Sequence, residues 1–406
     1  MSEPNTAQRA PAAAGRTERP VDLAQTADLL TRTSGSVLIR GAGTKQDWAG
    51  RVSDPDLVLD TTAMNQVLTH NPGDMTVSVQ AGIPLLALQE HVLGDGQWVA
   101  LDPASAASGA TVGGLLAAGD SGPSRLKYGG MRDLVIGATV VLADGSVARS
   151  GGHVIKNVAG YDLAKVLHGS LGTLALIGEV VLRLHPKPPS RLTVHAVADA
   201  EQATAAVLAL AAGPLEPASV EWISGSKAQA GALSVRVQGS EAVTEAAAAA
   251  TVAALKRAGL DAHKLDADEA IQRWSEHETL VSGAEGAVVV QINGLPSGLA
   301  ALVAAVHEHA DRAGVKASMV SAAGVGMHTL TLAPAVSEQH AQVLTGIRTY
   351  AERAGCSVLL RRRPEALDAH VDVMGTPPST VQILRRIKHE FDPDARLAPG
   401  RFAGWY

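Results

Sequence analysis

Arg40-Gly41-Ala42-Gly43-Thr44-Lys45 and, further along, Asp102-Pro103-Ala104-Ser105-Ala106-Ala107-Ser108-Gly109-Ala110-Thr111-Val112-Gly113-Gly114 are the two stretches on which the reading of this chain turns. The first follows a short apolar run, Val37-Leu38-Ile39. A glycine turn just after a strand lets backbone N–H groups approach a pyrophosphate without a Cβ in the way. The second ends in Thr-Val-Gly-Gly, suited to start a helix close against the same ligand. Either stretch alone is a weak signal, but the pair points to a bound dinucleotide. A Rossmann site is a poor alternative, because Gly41 and Gly43 are followed by Gln46 where that pattern needs a third glycine.

A chain of 406 residues is too long for one ordinary core, so two domains are expected, and 46% apolar residues leave ample material to bury. The formal charge is −6, and no stripe of Lys and Arg is interleaved with aromatics, so a nucleic-acid partner is not expected. The runs Arg361-Arg362-Arg363 and Arg385-Arg386 read as solvated faces or internal ion-pair partners. The single cysteine, Cys356, excludes an intrachain disulfide, fits a reducing compartment and reads as a buried structural thiol. Residues 1–20, rich in Ala, Pro, Thr and Arg, read as a disordered tail. No window offers the roughly 18 uninterrupted apolar residues of a membrane span.

Asp22 to Thr33 has helical spacing and feeds a strand at Ser36–Arg40; Leu57–Leu59 and Thr76–Gln80 are strand-like, and Pro84 opens a helix to about Val92. Leu134–Leu142 turns at Asp144-Gly145 into Val147–Ser150, and Leu174–Leu184 reads as a buried strand. It closes at His185-Pro186-Lys187-Pro188-Pro189, where successive prolines leave the sheet ladder and mark a domain boundary. Beyond it come a strand (192–198), a helix (201–212), two strands (219–223 and 232–237) and a helix (242–258), with a comparable order recurring from Ala287 to Leu332. This predicts an α+β layer. A helix near Thr380–Glu390 and a Pro- and Gly-rich loop follow.

Between Gly122 and Leu184 stand Gly-Pro-Ser-Arg-Leu-Lys-Tyr-Gly-Gly-Met-Arg-Asp-Leu-Val-Ile-Gly, Lys-Asn-Val-Ala-Gly-Tyr-Asp-Leu and Gly-Ser-Leu-Gly-Thr-Leu-Ala-Leu-Ile-Gly-Glu, in that order. With the two opening motifs, this resembles the FAD-binding (PCMH-type) domain of the vanillyl-alcohol-oxidase and p-cresol-methylhydroxylase superfamily. Within it, the chain is similar to the E subunits of bacterial glycolate oxidases, through Ile271-Gln272-Arg273-Trp274, Val371-Asp372-Val373-Met374-Gly375 and Phe391-Asp392-Pro393…Pro399-Gly400-Arg401-Phe402. Met374 stands where a tryptophan is usual in that family, and Ala398 where an asparagine often precedes Pro-Gly.

The resemblance implies an α+β flavoprotein with a two-lobed FAD-binding domain at 21–189, an α+β cap on the substrate side at 190–371 and a segment at 372–406 returning to the FAD domain. It implies Gly41, Ala42, Gly43, Thr44 and Lys45 along the pyrophosphate, Pro103, Ser108, Thr111, Gly113 and Gly114 along the ribityl and phosphate arm, and Gly172, Thr173 and Ile177 over the adenine side. Thr44 takes the place of the histidine through which some relatives attach FAD, so a non-covalent flavin is expected, and His153 is left without a role. The expected function is that of the FAD subunit of a glycolate oxidase complex, which supports oxidation of glycolate, a small 2-hydroxy acid, to glyoxylate. A second flavin subunit would carry the metal-dependent active site, and an iron–sulfur subunit would remove the electrons. The expected location is cytoplasmic, with docking at the inner membrane through a partner. Two alternatives stand beside this: a stand-alone hydroxy-acid or alcohol dehydrogenase, and a non-catalytic assembly subunit with a degenerate flavin pocket.

Catalytic residues are left unassigned. Relatives that oxidise D-2-hydroxy acids bind a metal through His-x-Gly-x-Gly-x-x-His, and the nearest stretch here is Ser321-Ala322-Ala323-Gly324-Val325-Gly326-Met327-His328, in which only the last ligand position is a histidine. His328 therefore reads as a core or hydrogen-bonded histidine. His307 and His309 face different ways on a helix, and His277, between Glu276 and Glu278, reads as solvated. Lys156, Tyr161 and Asp162 read either as neighbours of the flavin ring or as structural ties. Arg125 and Tyr128 read either as carboxylate ligands or as surface pairs.

Overall fold

A computed structural model describes residues 15–153, 161–224 and 231–406. Lys156 and most of the expected N-terminal tail lie outside the described residues. Within that expected tail, Arg16–Glu18 (β1) pairs in parallel with Leu57–Asp60 (β3), so disorder does not reach residue 20. Val37–Arg40 (β2) pairs with β3 on the other side, giving a three-stranded parallel sheet. The helix Leu23–Arg32, capped by the Asp22 side chain on Gln25 N–H, packs Leu30 against Val37 and Leu59.

A second, antiparallel sheet contains Val67–Asn71 (β4), Thr76–Gln80 (β5), Val135–Val141 (β7), Val147–Gly151 (β8) and Leu176–Arg183 (β9), in the order β4-β5-β9-β7-β8. Val77, Leu115, Leu134 and Val180 are at the centre of its core. The proline boundary behaves differently from its sequence reading. His185-Pro186 (β10) forms a two-residue ladder with Gln97-Trp98 (β6), a short edge pairing where a missing N–H is tolerated.

From Ser190 onwards one antiparallel sheet of eight strands forms the cap: Ser190–Val197 (β11), Ser219–Ser224 (β12), Gly231–Gly239 (β13), Ala262–Lys264 (β14), Val288–Asn293 (β15), Ala317–Ala322 (β16), Met327–Leu332 (β17) and Ser357–Arg362 (β18). Their order is β14-β11-β13-β12-β16-β17-β15-β18. Each half is a split βαβ unit of the same connectivity, and the halves meet where β12 pairs with β16. Strand alternation separates the two faces. Trp222, Leu233, Val290 and Leu330 project into an apolar core under four helices, and the Trp222 indole donates to the Ala198 carbonyl at 3.0 Å. The other face carries Arg236, Glu221, Ala322, Met327 and Thr329; it is covered by the helix Ala267–Ser282, which joins the halves, and by loops of the N-terminal domain.

The C-terminal helix Val381–Phe391 and the residues after it lie against the N-terminal domain. Leu397 bridges in parallel to Val37, and Arg396 donates to the Gly35, Ala143, Leu30 and Thr33 carbonyls. Ala398, the position at which the sequence departs from the familial asparagine, has φ of +47°, a region that asparagine tolerates better than alanine. Among the described residues, no helix is long and apolar enough to cross a membrane.

Candidate flavin groove and interdomain cleft

A groove opens between the two sheets of the N-terminal domain. Gly41, Lys45, Gly113, Gly114, Gly172 and Ile177 line it, with Leu171 and Arg401. The glycines are there for identifiable reasons. A Cβ on Gly41 would sit 2.4 Å from Thr111 Oγ1, and Gly172 has φ of +79°. Gly113 lets the helix Val112–Ala118 press on Ala81, where a Cβ would meet the Ala81 Cβ at 2.8 Å. The first N–H groups of this helix are already bonded: Val112 to the Ile83 carbonyl, Gly113 to the Ala81 carbonyl, and Gly114 to Thr111 Oγ1 at 3.2 Å. The helix start therefore supplies close approach, while its first donors are taken by the protein.

Thr44 and Ser108 line an adjoining cavity with Trp48, Ser105 and Arg361. The remaining expected residues stand outside these walls. Ala42 is on the exposed side of its loop, Gly43 has φ of +76°, and Pro103 precedes the turn Ala104–Ser108. Thr173 is buried, with its hydroxyl on the Ser170 carbonyl at 2.7 Å and 3.2 Å from the Tyr406 hydroxyl.

Asp120, unmarked in the sequence, builds the junction between groove and cap with Arg361 and Arg401, neither of which the sequence assigns to the site. Asp120 accepts from Ser105 Oγ at 2.6 Å and from Arg361 Nη2 at 3.2 Å, and lies 3.3 Å from Lys45 Nζ. Burial lowers the pKa of both cations, while Asp120 acts to raise it. The Arg361 guanidinium stacks 4.1 Å from the Trp48 ring centroid. Arg401, from the C-terminal loop, donates to the Gln46, Trp48 and Gly50 carbonyls, and burial brings its pKa down to about 10. Its Nε is buried without a partner, on a residue that faces the groove. An unpaired buried cationic donor beside a glycine-rich loop fits an elongated anionic ligand. Ile177 and Leu171 offer the apolar cover that a flat base needs.

The adjoining cavity shares Ala104, Val281 and Arg361 with a cleft between the N-terminal domain and the polar face of the cap sheet. Arg236 crosses this cleft to Asp102 at 3.2 Å and stacks 3.6 Å from the Trp274 ring centroid. Asp102 also accepts from Ser124 N–H and Oγ, at 2.9 and 2.7 Å. His277 is buried at the wall, its Nε2 3.0 Å from Glu221 Oε2, which corrects its reading as a solvated residue. Helical periodicity was the available signal, since Trp274, His277 and Val281 recur on one face.

His328 lies on the opposite, apolar face of the cap sheet, with Nδ1 2.6 Å from Ser321 Oγ. Burial pulls its pKa down to about 4 from 6.5. The unfolded chain then holds more protons between those values, so stability falls as pH drops from 6.5 to about 4, by about 3 kcal/mol. Burial of His195 acts in the same direction, also down to about 4. Urea midpoints measured across this range are expected to fall steeply for the natural protein and less steeply for His328→Gln.

The other sequence candidates do not converge on the cleft. Tyr128 accepts from Gln238 Nε2 at 2.6 Å and packs edge-on against Trp98, Arg125 donates to Ser121 Oγ, Tyr161 is exposed, and Asp162 pairs with Lys165. His153 is exposed. Cys356 is only partly buried, beside Gly294. Arg361 and Arg363 are ion-pair partners, of Asp120 and Asp368, and not a solvated face. Among the described residues, no three His, Cys, Asp or Glu side chains gather as a metal site.

Residues 11–151 match the FAD binding domain family. The chain is 36% identical to glycolate oxidase subunit GlcD of Bacillus subtilis over 188 residues, 46% of this chain and 40% of that protein. It is 30% identical to glycolate oxidase subunit GlcE of Escherichia coli over 189 residues, 47% of this chain and 52% of that protein. A D-lactate dehydrogenase of Archaeoglobus fulgidus is 36% identical over 151 residues, 37% of this chain and 33% of that protein. The chain thus matches about half or less of the length of these relatives. In fold it is similar to an alkyldihydroxyacetonephosphate synthase structure, with a TM-score of 0.70 and 17% identity over 94% of this chain and 76% of that one. A chitooligosaccharide oxidase structure gives 0.65 and 14% over 95% of this chain and 90% of that one. Residues 11–151, which carry the Gly41 loop and the Thr111 helix start, are thus an FAD binding domain, and FAD is its cofactor.

Proposed function

We propose that the chain is an FAD-linked oxidoreductase of the glycolate oxidase and D-lactate dehydrogenase type, acting on a small 2-hydroxy acid as the flavin subunit of a multi-subunit oxidase. The observation that carries this reading is the buried Lys45–Asp120–Arg361 ion-pair chain, which ties the glycine-lined groove, lined by Lys45, to the arginine-lined cleft, lined by Arg361. Subunit membership rests on the resemblance to proteins named as oxidase subunits. Gly41, Lys45, Gly113, Gly114, Gly172, Ile177 and Arg401 would hold the dinucleotide, with Thr44 and Ser108 on the adjoining wall. The flavin supplies hydride acceptance when bound. The chain's own residues supply the remainder. Arg191 and Arg236 at the cleft are suited to a carboxylate, and the covering helix Ala267–Ser282 restricts water.

Purified chain is expected to be yellow and to bleach when glycolate or D-lactate is added without oxygen in the presence of the partner flavin subunit. Turnover by the lone chain would favour the stand-alone dehydrogenase, a reading supported by the charged residues of its own cleft. A colourless protein that takes up no FAD would overturn both.

A further inference from the structure

The residues after the C-terminal helix join the two walls of the glycine-lined groove. Arg401 lines the groove and is 2% exposed. It is fixed on the wall formed by residues 46–50: Nη1 donates to the Gln46, Trp48 and Gly50 carbonyls at 2.6, 3.0 and 3.0 Å, and Nη2 donates to Gln46 Oε1 at 2.9 Å. Gly50 N–H donates back to the Arg401 carbonyl at 2.8 Å. Tyr406 lies on the opposite wall, its hydroxyl 3.2 Å from Oγ1 of Thr173, which follows the groove residues Leu171 and Gly172. Thr173 already donates to the Ser170 carbonyl, so Tyr406 is the donor in this bond. Residues 401–406 therefore run from the wall beside the first sheet to the wall beside the second.

The two ends are held unequally. At the Arg401 end the backbones are in close contact, since a Cβ on Gly50 would sit 2.0 Å from the Gly400 carbonyl oxygen. Gly404 is the reverse case: it is exposed, has φ of +84°, and a Cβ built on it would meet no atom within 4 Å. A free backbone of this kind between two anchored points is where a loop hinges. Beyond it, Trp405 Nε1 donates to the Gly375 carbonyl at 3.2 Å, the Trp405 carbonyl accepts from Arg385 Nε at 2.6 Å, and the Tyr406–Thr173 bond completes the attachment. The Trp405 and Tyr406 rings pack on Phe402 of the same turn, with centroids 6.3 and 5.2 Å away. Burial pushes the Tyr406 phenol up to about 12, so it is a neutral donor at neutral pH. We infer that residues 404–406 are a latch on the flavin groove, hinged at Gly404 and closed by the Tyr406–Thr173 hydrogen bond, which opens to admit and release FAD. This rests on the groove being the flavin site, as proposed above.

The test is the kinetics of FAD exchange in the full chain, for the natural protein, Tyr406→Phe and Tyr406→Ala. Association is followed as the change in FAD fluorescence on mixing with deflavinated protein, and release by chasing bound radiolabelled FAD with unlabelled FAD. A latch sets how often the groove is open, whether or not FAD is inside. Both rates are therefore expected to rise together, by roughly 2- to 10-fold when only the hydroxyl is lost and on the order of 10- to 100-fold when the ring goes as well, with Kd nearly unchanged. Faster release with unchanged association would make Tyr406 a static contact of the cofactor and overturn the latch, as would natural rates in both variants. Arg401→Met, which removes the fixed end, is expected to bind FAD weakly. Natural affinity in that variant overturns the groove as the flavin site, and a natural protein that takes up no FAD overturns the proposed function.

Discussion

Asp120→Ala is expected to destabilise the protein by about 3–5 kcal/mol, because it leaves two buried cations facing each other without their shared anion. The carboxylate is 3% exposed and lies between Lys45 of the glycine-rich loop and Arg361 of the cap strand β18. Burial already disfavours both charges, so removing the counter-charge takes away the interaction that opposes this penalty. Asp120→Asn should fall between the natural protein and the alanine variant, since an amide oxygen can still accept from Ser105 and Arg361. Denaturant unfolding measures the loss, and flavin retained after gel filtration reports the junction itself. An alanine variant within 1 kcal/mol of the natural protein would show that Lys45 and Arg361 find water or each other's neighbours instead.

Lys388→Met carries an effect of similar size at the other end of the chain. Lys388 Nζ is bonded to the Thr173 carbonyl at 2.7 Å, the Leu397 carbonyl at 3.1 Å and Asp392 Oδ2 at 2.5 Å. Asp392 is 1% exposed and also accepts from the Arg396 and Leu397 N–H groups. Removing the lysine strands a buried carboxylate and two carbonyls, at a cost of about 3–5 kcal/mol. Lys388→Met combined with Asp392→Asn should recover part of this, because the asparagine oxygen keeps an acceptor for the loop without the charge. The readout is the urea midpoint of both variants. Because Thr173 adjoins Gly172 at the groove, the single variant should also bind flavin more weakly; equal midpoints in both variants would contradict the account.

Much of this was legible locally. Alternation and turn chemistry mark β5, β7 and β9, and the glycine loops mark the groove because a Cβ at Gly41 would clash with Thr111 and a positive φ at Gly172 favours glycine. The recurrence from Ala287 to Leu332 belongs to the second half of a duplicated cap. What escaped depends on partners far apart in sequence. Nothing near Asp120 announces Arg361, and nothing near Gln46 announces Arg401. The Glu-His-Glu run at 276–278 looks solvated by composition, and only the helical phase set by Trp274 turns its histidine inward. Thr173 looks like a ligand group in its glycine-rich setting, yet its carbonyl and hydroxyl are taken by Lys388 and Ser170.

The eight-stranded cap ends on β18, and an unguarded strand edge invites other chains to add to it. Here the guard comes from residues 47–51, which follow the glycine-rich loop. Ala49 N–H donates to the Leu360 carbonyl at 2.9 Å, Arg363 reaches the Asp47 carbonyl at 2.7 Å, and Arg51 returns to the Arg363 carbonyl at 2.6 Å. The segment that shapes one wall of the glycine-lined groove thus also covers the β18 edge of the cap sheet. Groove shape and sheet-edge cover therefore rest on one segment: a substitution that loosens residues 41–51 is expected to expose the β18 edge as well.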